Sequence, residues 1–323
     1  MRLPDAYCAP ASRAGEYEAG SRNRKKSGGV LCERVAVKYA WIAAHRDRFT
    51  VARMCRQLDV SRTGYCQWAT REESDRSKAN SALDARVAAL HAESDRSYGR
   101  PRIVEALVAE GSRVGHERVR QSLLRQGLRP VYKRPYLVTT DSAHDLPVAA
   151  NVLDRRFDGW APDRAWVADI TYLGTDEGWL YLACVLDLGS RRIVGWSLGE
   201  HMRASLVCDA LRSAYGSRRP PAGLVMHSDR GSQYASEDHR QLLDEYGMVQ
   251  SMSRRGSCWD NAAMESFFKT LKVERTNRVR YGTRAQARLD IVNWIEGFYN
   301  RRRLHSSIGY RSPVTFEQSL MAA

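Results

Sequence analysis

Two patterns of apolar residues divide the chain. From residue 34 to 134 apolar side chains recur every three or four positions, which predicts helices. From residue 165 onward, short apolar runs bounded by turn residues alternate with helical segments, which predicts a mixed α/β domain. The stretch between them, 135–164, contains three prolines and little periodicity, so we expect an extended linker there.

The front region is predicted to contain two helix-turn-helix-like units, residues 34–78 and 79–134. In the first unit, Ser61 follows a turn and is placed to cap the second helix. The helix before that turn has one apolar face, formed by Val51, Met54, Cys55 and Leu58. A plain helical hairpin without DNA contact is the alternative. Residues 1–33 are rich in Gly, Ser, Ala and Arg without a period, which predicts a disordered leader or sequence upstream of the natural start of the domain.

An arginine-rich helix, His116 to Gln126, closes the second unit. Before it we expect a turn over Tyr98–Pro101 and a helix that starts at Ile103. The residues expected to face inward are Val119, Leu123 and Leu124. Those expected to reach a DNA groove or backbone are Arg118, Arg120 and Arg125. The alternative is that these arginines only form a solvated helix face.

Three strand-like runs open the α/β domain, which we place at residues 165–280. They read WVADITYL, WLYLACVLDL and RIVGWSLG, and short turns join them. A helix, the strand GLVMHSD, a second helix and a short strand from Met248 to Met252 follow. The loop SRRGSCWD then leads into a helix that Asp260 or Asn261 could cap.

A predicted helix and a basic tail follow within residues 281–323. We place this last helix at Ala285 to Asn300. The arginines after it, 301–303, either track a phosphate backbone or cap the helix.

The charge of the chain calls for a polyanionic partner. The formal net charge of the 323 residues is +14, and residues 1–135 carry 27 basic against 15 acidic residues. The following residues, 136–253, carry 11 basic against 16 acidic residues, and residues 254–311 carry 13 against 5. Basic regions therefore flank an acidic one, and nucleic acid is the simplest partner.

Cysteine usage and hydropathy bear on the compartment. The seven cysteines include no CxxC pair and none has a His at zinc-ligand spacing, which indicates reduced thiols in a cytoplasm. No apolar signal region follows the N-terminus. The longest apolar run, Trp179 to Leu186, is far shorter than a membrane span. We expect a cytoplasmic protein without a membrane partner.

Three carboxylates are the candidates for catalysis. Asp169 lies in an apolar strand, where an acid without a cation or hydrogen-bond donors would be costly. Asp229 follows an apolar strand, at the end where open α/β sheets usually place ligands. Glu265 lies on a helix. Carboxylates in such positions suit a site for two divalent cations, which activate the attacking oxygen and stabilise the leaving oxygen of a phosphodiester.

Basic residues accompany the third acid. Lys269 and Lys272 follow Glu265 at helical spacing, so one face presents a carboxylate and two cations to a phosphate backbone. Arg254 and Arg255 lie in the loop before this helix, and we expect them to contact DNA.

A Ser-His-Asp triad is a weaker interpretation of the residues around the second acid. His227 and Ser228 directly precede Asp229. Adjacent residues of a strand point to opposite faces, so these three side chains are poorly placed to act together. His227 is better explained as a supporting or structural residue.

Several motifs together resemble a known catalytic core. WVADITYL, HSDRGSQY and SRRGSCWDNAAMESFFKTLKVE are similar to the core of DDE transposases and retroviral-type integrases, with 59 and 35 residues between successive acids. With YGRPRI and YNRRRLHSSIGYRSPVTFE, the chain more closely resembles the second-frame product of the IS-three family of bacterial insertion sequences. The resemblance covers about residues 34–318.

This resemblance implies a fold and a reaction. The implied fold is a ribonuclease H-like mixed sheet flanked by helices and preceded by all-α helix-turn-helix units. Asp169, Asp229 and Glu265 would bind two Mg²⁺ or Mn²⁺ ions, and Lys272 would contact the transposon end. The implied reactions are hydrolysis at a transposon 3′ end and attack of that 3′-hydroxyl on target DNA, without a covalent protein intermediate.

The resemblance also implies partners. Double-stranded DNA would supply the transposon ends and the target, and the chain would form a homo-oligomer on DNA in the bacterial cytoplasm, at the nucleoid. Such proteins commonly act as a frameshift fusion with a first-frame protein, but residues 1–33 do not match that protein and no sustained heptad repeat is visible. Two other functions stay open at this point, namely a DNA-binding regulator with an inactive core and a ribonuclease H-like nuclease acting on RNA or hybrids.

Overall fold

The computed structural model describes residues 34–131 and 147–322. The chain divides into two compact units, Met1–Ser81 and Ala82–Ala323, which are described separately below. The predicted leader and residues 135–146 of the predicted linker lie outside the described residues.

Residues 34–74 of the first unit form three short helices around a small core that contains two tyrosines. They are α1 (Val35–His45), α2 (Val51–Gln57) and α3 (Arg62–Thr70). The side chain of Ser61 accepts a hydrogen bond from the backbone N–H of Gly64, so the predicted cap of α3 is confirmed. Of the predicted apolar face, Met54, Cys55 and Leu58 are buried and Val51 is partly buried. Tyr39, Ile42 and Tyr65 complete this core.

Three further helices follow, and two details differ from the sequence prediction. They are α4 (Asp75–Glu93), α5 (Arg100–Ala109) and α6 (His116–Arg125). Helix α5 begins at Arg100 rather than at Ile103, because Pro101 fits the first helical turn, where a missing N–H costs no hydrogen bond. Leu124 is 58% exposed rather than facing inward, and Ser122 occupies the buried position instead.

A five-stranded mixed sheet forms the centre of the second unit. Its strands are β1 (Ala165–Thr175), β2 (Gly178–Asp187), β3 (Ile193–Gly199), β4 (Val225–Ser228) and β5 (Val249–Met252). Their order is β3-β2-β1-β4-β5; β2 pairs antiparallel with both β1 and β3, whereas β4 pairs parallel with both β1 and β5. This topology is ribonuclease H-like, as the resemblance implied.

Helices cover both faces of the sheet. Helices α7 (Ala204–Arg218) and α8 (Glu237–Glu245) contribute to a core that contains the side chains of Trp166 and Met226. On the opposite face lie α9 (Ala262–Glu274) and α10 (Arg284–Val292), the latter continuing as a π-helix, Asn293–Tyr299. Because both faces are covered, the central strands are almost entirely apolar, and an acid within them is exceptional.

The C-terminal region differs from the prediction of a last helix and a basic tail. A further helix, α11 (Pro313–Met321), follows the π-helix. Arg303 is buried and donates two hydrogen bonds to Glu274, at 2.8 and 2.7 Å. Its guanidinium therefore stabilises the end of α9 and is not placed to track a phosphate backbone. Among the described residues, no helix is both long and apolar enough to cross a membrane.

The loop after α4 is hydrogen-bonded to this C-terminal region. The Tyr98 hydroxyl donates to the carbonyl of Arg302 and accepts from the N–H of Leu304, at 3.1 and 2.9 Å. Arg275 and Arg278, just past the end of α9, both form ion pairs with Asp95. These contacts tie the helical segment to the domain that carries the sheet.

Candidate active site

Two of the three candidate acids lie side by side at the middle of the sheet. Ala168 of β1 is paired with Ser228 of β4, and Asp169 and Asp229 are the next residues of these two parallel strands. Neighbouring strands are about 4.8 Å apart, so the two backbones hold the acids close together. One oxygen of each carboxylate accepts a nearby backbone N–H: Asp169 from Ile170 at 2.8 Å and Asp229 from Gly231 at 2.9 Å.

The third acid is held next to them by the start of α9. The side-chain amide of Asn261 donates to the carbonyl of Ala168 at 3.0 Å, which fixes the N-terminus of the helix against β1 beside Asp169. Glu265 lies one helical turn further on. Phe267 and Leu271 are buried on the other side of α9. The predicted cap is wrong, because Asn261 is the N-cap residue but its side chain binds β1 rather than the helix.

The other two acids affect the electrostatics of Asp169. Burial, and then the charges of Asp229 and Glu265, raise the pKa of Asp169 well above its usual range. Burial also raises the pKa of Glu265, and Lys269 opposes this shift. The site therefore concentrates negative charge in a partly buried place.

The chemistry of these residues fits a hard divalent cation, although the three carboxylates lie too far apart to bind one ion together. All three donors are carboxylates, which Mg²⁺ and Mn²⁺ prefer, and a cation would relieve the repulsion that Asp169 experiences. Within residues 34–131 and 147–322, however, no group of three or more His, Cys, Asp or Glu side chains could hold a metal ion as it stands. Binding would require the carboxylates to move closer together.

Lys272 lies near this acidic group. Its Nζ is 5.2 Å from the centre of the Tyr172 ring, and Asp169 acts on its charge. Burial lowers the pKa of Lys272, and the nearby Asp169 opposes this shift. The predicted cation is thus at the acids, two helical turns beyond Glu265.

A buried carboxylate that the sequence prediction took for a helix cap organises the loop before α9. Asp260 is fully buried and accepts hydrogen bonds from both the backbone and the guanidinium of Arg254. Arg155 and Asn151 also donate to it, at 2.6 and 3.0 Å. These donors hold the pKa of Asp260 well below its usual range. We call Asp260 and its three partners the Asp260 clamp.

The contacts of His227 do not support a Ser-His-Asp triad. The ring of His227 is buried, and its two nitrogens lie 2.8 Å from the Ser251 hydroxyl and 3.2 Å from the Ser253 hydroxyl. The hydroxyl of Ser228 donates to the backbone carbonyl of Asp229. Burial lowers the pKa of His227 to about 4, so this side chain is a neutral structural residue beneath the site.

The other predicted DNA contacts lie on the surface, several with acidic partners. Arg125 donates two hydrogen bonds to Asp84, and Arg120 pairs with Glu117 on the same helix. Arg118 and Arg255 are exposed. Arg254 belongs to the Asp260 clamp, and its side chain is half exposed.

Comparisons with known proteins agree on one family. A family model described as an integrase core domain matches residues 160–258, a second of the same description matches 246–313, and an HTH-like domain model matches 78–136. The chain is 42% identical over 288 residues to the transposase InsF for insertion sequence IS3A of Escherichia coli (strain K12), covering 88% of this chain and 100% of that protein. It is 43% identical to an insertion element IS600 31 kDa protein of Shigella sonnei, covering 82% and 97%.

Similarity to solved structures is weaker. The structure of the HTLV-2 integrase catalytic core domain in complex with magnesium is 15% identical, covers 49% of this chain and 99% of that chain, and gives a TM-score of 0.39.

Proposed function

Because this chain belongs to the IS3 family of insertion-sequence transposases, we propose that its core carries out metal-dependent hydrolysis at the 3′ ends of the element and then joins those ends to target DNA by direct transesterification. The wider assignment follows from family membership. The chain is a transposase that acts on DNA, and its integrase core makes it a polynucleotidyl transferase.

One observation carries the proposal. Asp169 and Asp229 follow paired residues of two adjacent parallel strands, and Asn261 attaches the helix of Glu265 to the same point of β1. The charges of Asp229 and Glu265 both raise the pKa of Asp169. An acidic group of this kind in a basic DNA-binding protein repels the substrate unless cations neutralise it, which favours a metal site over a purely structural cluster.

The three carboxylates would hold two Mg²⁺ or Mn²⁺ ions. When bound, such ions supply activation of the attacking oxygen and stabilisation of the leaving oxygen at a phosphodiester. Asp169 lies in β1 and Asp229 directly follows β4, whereas Glu265 projects from α9.

The two reactions balance without a protein nucleophile. In the first, the oxygen of water bonds to phosphorus, the bond to the 3′ oxygen of the element breaks, and that oxygen takes up a proton. In the second, the freed 3′-hydroxyl loses its proton and bonds to a target phosphorus, while the 3′ oxygen of the target strand leaves and is protonated. In the joining step, one phosphodiester is formed for the one that is broken, so this step needs no external energy source.

Basic side chains would position the DNA for these steps. Lys272 and Lys269 lie on the helix of Glu265, and we assign them to the backbone of the element's end. The remaining contacts that we assign are Arg118, Arg120, Arg125, Arg254 and Arg255. Each guanidinium of Arg120, Arg125 and Arg254 already pairs with a carboxylate and would have to bind a phosphate as well. Their contributions to DNA binding should therefore be small.

Partners and compartment extend the proposal. Element ends must be brought together before joining, which favours a homo-oligomer on double-stranded DNA, with a first-frame product of the same element as a second partner or fusion segment. Since its substrate is chromosomal, we place the protein in the bacterial cytoplasm, at the nucleoid.

A strand-transfer assay tests the chemistry. The full chain is incubated with a labelled duplex carrying its element's ends, target DNA, and Mg²⁺ or EDTA, with and without the first-frame product. We expect Asp169→Asn, Asp229→Asn and Glu265→Gln to abolish cleavage and joining while binding to the ends persists, because each removes a ligand charge but keeps the side-chain shape.

Asp209→Asn is the matched control. Asp209 lies on α7 in an exposed ion pair with Arg212, so its loss should leave both reactions unchanged. Joining by any of the three site variants would remove that residue from the ligand set. DNA binding without metal-dependent product under every condition would favour the regulator function, and preferential cleavage of RNA–DNA hybrids would favour a ribonuclease.

A further inference from the structure

Two exposed aromatic side chains lie near Lys272. Tyr172 is on β1, three residues after Asp169, and Trp179 is on β2 just beyond the turn that joins the two strands. Their side chains are 38% and 53% exposed. The rings meet edge to face, with centroids 5.0 Å apart. We call this pair the aromatic platform.

The Trp179 ring is held in place by its surroundings. Gly174 faces Trp179 in the strand register, and a Cβ added at Gly174 would lie 3.7 Å from the ring, at ordinary van der Waals distance, so the ring lies over this glycine. Arg284 donates to the backbone carbonyl of Trp179 at 3.2 Å. A ring fixed on one side and open to solvent is preorganised for a flat partner.

The platform borders a depression with a cation at one side. The depression has a volume of about 220 Å³ and is lined by Tyr172, Trp179, Lys272 and Asn277, among others. The ammonium group of Lys272 lies 5.2 Å from the centre of the Tyr172 ring, so one aromatic face is already engaged by a cation. Asn277 adds an exposed amide on the wall of the depression.

We propose that this depression holds one unpaired nucleotide within two or three nucleotides of the reacting phosphate, with its base stacked on Trp179 and its phosphate at Lys272. The proposal rests on the proposed function, since it takes the group of Asp169 as the reaction site. Gly174, which faces Trp179, is five residues of extended strand from Asp169, a span of about 16 Å, which is the reach of two or three nucleotides. Tyr172 is a positioning residue, because its ring supports both Trp179 and Lys272.

A nucleotide fits this surface better than an apolar peptide does. Every base has a flat face that stacks on an aromatic ring, and a phosphate accompanies it. Lys272 offers a positive charge within the depression, and Arg284 lies at the rim beside the Trp179 backbone. A hydrophobic segment of a protein would gain nothing from these charges. Because Lys272 is assigned to the element's end, we expect the nucleotide to come from that end, and the test separates it from a target nucleotide.

Photocrosslinking reads occupancy without requiring catalysis. Iodouracil replaces single bases near the cleaved end of the element or near the joining site of the target, and the full chain is irradiated on each duplex in EDTA. We expect crosslinks at Trp179 or Tyr172 from one or two positions of one of the two DNAs, which also identifies the source of the nucleotide. The inference would be overturned if the crosslinks mapped only to other parts of the chain. It would also be overturned if a first-frame partner occupied the platform and took the crosslinks instead.

Kinetics give the second readout. Trp179→Ala should reduce joining from a fully paired end by about tenfold or more, the order expected for the loss of one base stack. A substrate whose terminal base pairs are already mismatched should recover most of that loss, because unpairing no longer has to be driven by stacking. Trp179→Phe should stay close to the parent, since it keeps an aromatic face.

Leu289→Ala is the control for loss of an exposed apolar side chain. Leu289 is 70% exposed on α10 and does not line the depression, so its removal should not change joining. Equal losses in Trp179→Ala on paired and mismatched ends would contradict the role in holding an unpaired base. If the parent chain forms no metal-dependent product, the proposed chemistry fails, but the crosslinks still decide whether the platform binds a nucleotide.

Discussion

At the scale of single residues, the protein keeps several ionisable groups buried and uncharged. His239 of α8 is only 1% exposed and packs its ring edge to face against Tyr234, with centroids 5.4 Å apart. Burial lowers the pKa of His239 to about 4. Since His227 behaves in the same way, the second unit carries at least two neutral histidines inside its cores.

These histidines make stability depend on pH with a defined sign. The pKa of an unfolded histidine is about 6.5, so between pH 6.5 and 4 the unfolded chain binds a proton that the folded chain excludes. The free energy of unfolding therefore has its highest value above pH 6.5, as far as these histidines are concerned, and falls as the pH falls towards 4. At about 1.4 kcal/mol per unit of pKa difference, His239 alone accounts for a loss of about 3 kcal/mol.

His239→Phe should remove its share of this dependence. Phenylalanine keeps a ring of similar size and cannot take up a proton, so we expect stability within about 1 kcal/mol of the parent at pH 7.5. At pH 5 the variant should be the more stable protein. Urea unfolding at both pH values measures the difference, with His201→Phe at an exposed position as control. An unchanged pH dependence would show that His239 is not the proton acceptor.

The sequence predicted the three candidate acids but not the residues that hold them in place. An acid inside the apolar run of β1 is conspicuous, and motif spacing links it to the other two acids. Asp260 or Asn261 was predicted to cap α9, because both residue types are common caps and the helix starts at residue 262. The Asp260 partners Asn151 and Arg155 are more than 100 positions away, so only the folded chain reveals the clamp.

At the scale of elements, α9 is held at both ends. Asn261 attaches its start to β1, and the Asp260 clamp fixes the loop before it. At the other end, Glu274 receives the buried guanidinium of Arg303. A helix fixed at both termini places Glu265 and Lys272 reproducibly against the sheet, which is what positioning of a phosphodiester requires.

Asp260→Ala should therefore affect both stability and catalysis. The change deletes a buried acceptor of five hydrogen bonds, but the arginines it releases are half exposed and can be hydrated. We expect the free energy of unfolding to fall by ~2 kcal/mol, which is less than the usual cost of breaking a fully buried ion pair. Joining should fall at least about tenfold while end binding changes little, because a small displacement of Glu265 is enough.

Denaturation and a binding titration on the same preparation separate these effects. Asp209→Ala removes an exposed acid whose ion pair lies on the surface of α7, and it should change neither quantity. If Asp260→Ala joined DNA at the parental rate, the clamp would have no part in positioning α9.

Helices and strands were predicted correctly where a single residue pattern dominates, and wrongly where tertiary contacts decide the bounds or the burial of a residue. The strands of the sheet were predicted because continuous apolar runs between turn residues leave few alternatives. The start of α5 was misplaced, since proline marks both a turn and a first helical turn. Leu124 was assigned to the interior from helical spacing alone, and whether the edge of a stripe is covered depends on neighbours that the pattern does not show.

At the scale of the whole molecule, the excess of positive charge suits a transposase that acts on DNA, and the acidic middle region, 136–253, contains two of the three candidate acids. Helices α5 and α6 lie in the same compact unit as the sheet. The pattern of apolar residues predicted a helical front and an α/β domain, but it did not predict this attachment. The contacts that make it, Tyr98 with the segment after the π-helix and Asp95 with Arg275 and Arg278, join residues about 180 to 206 positions apart.

That attachment makes the protein a ruler. If the HTH-like helices grip the element's terminal repeat, the number of base pairs between the gripped sequence and the cut bond is set by the protein and not by the DNA. Inserting about five base pairs between them, half a turn of the duplex, should leave binding intact and abolish cleavage at the true end. Tyr98→Phe, which weakens the attachment, should make the position of the cut less exact and produce cuts at neighbouring bonds, visible on a sequencing gel. An element of this kind can then change its inner sequence freely, but the enzyme sets the distance between the bound sequence and the cut end.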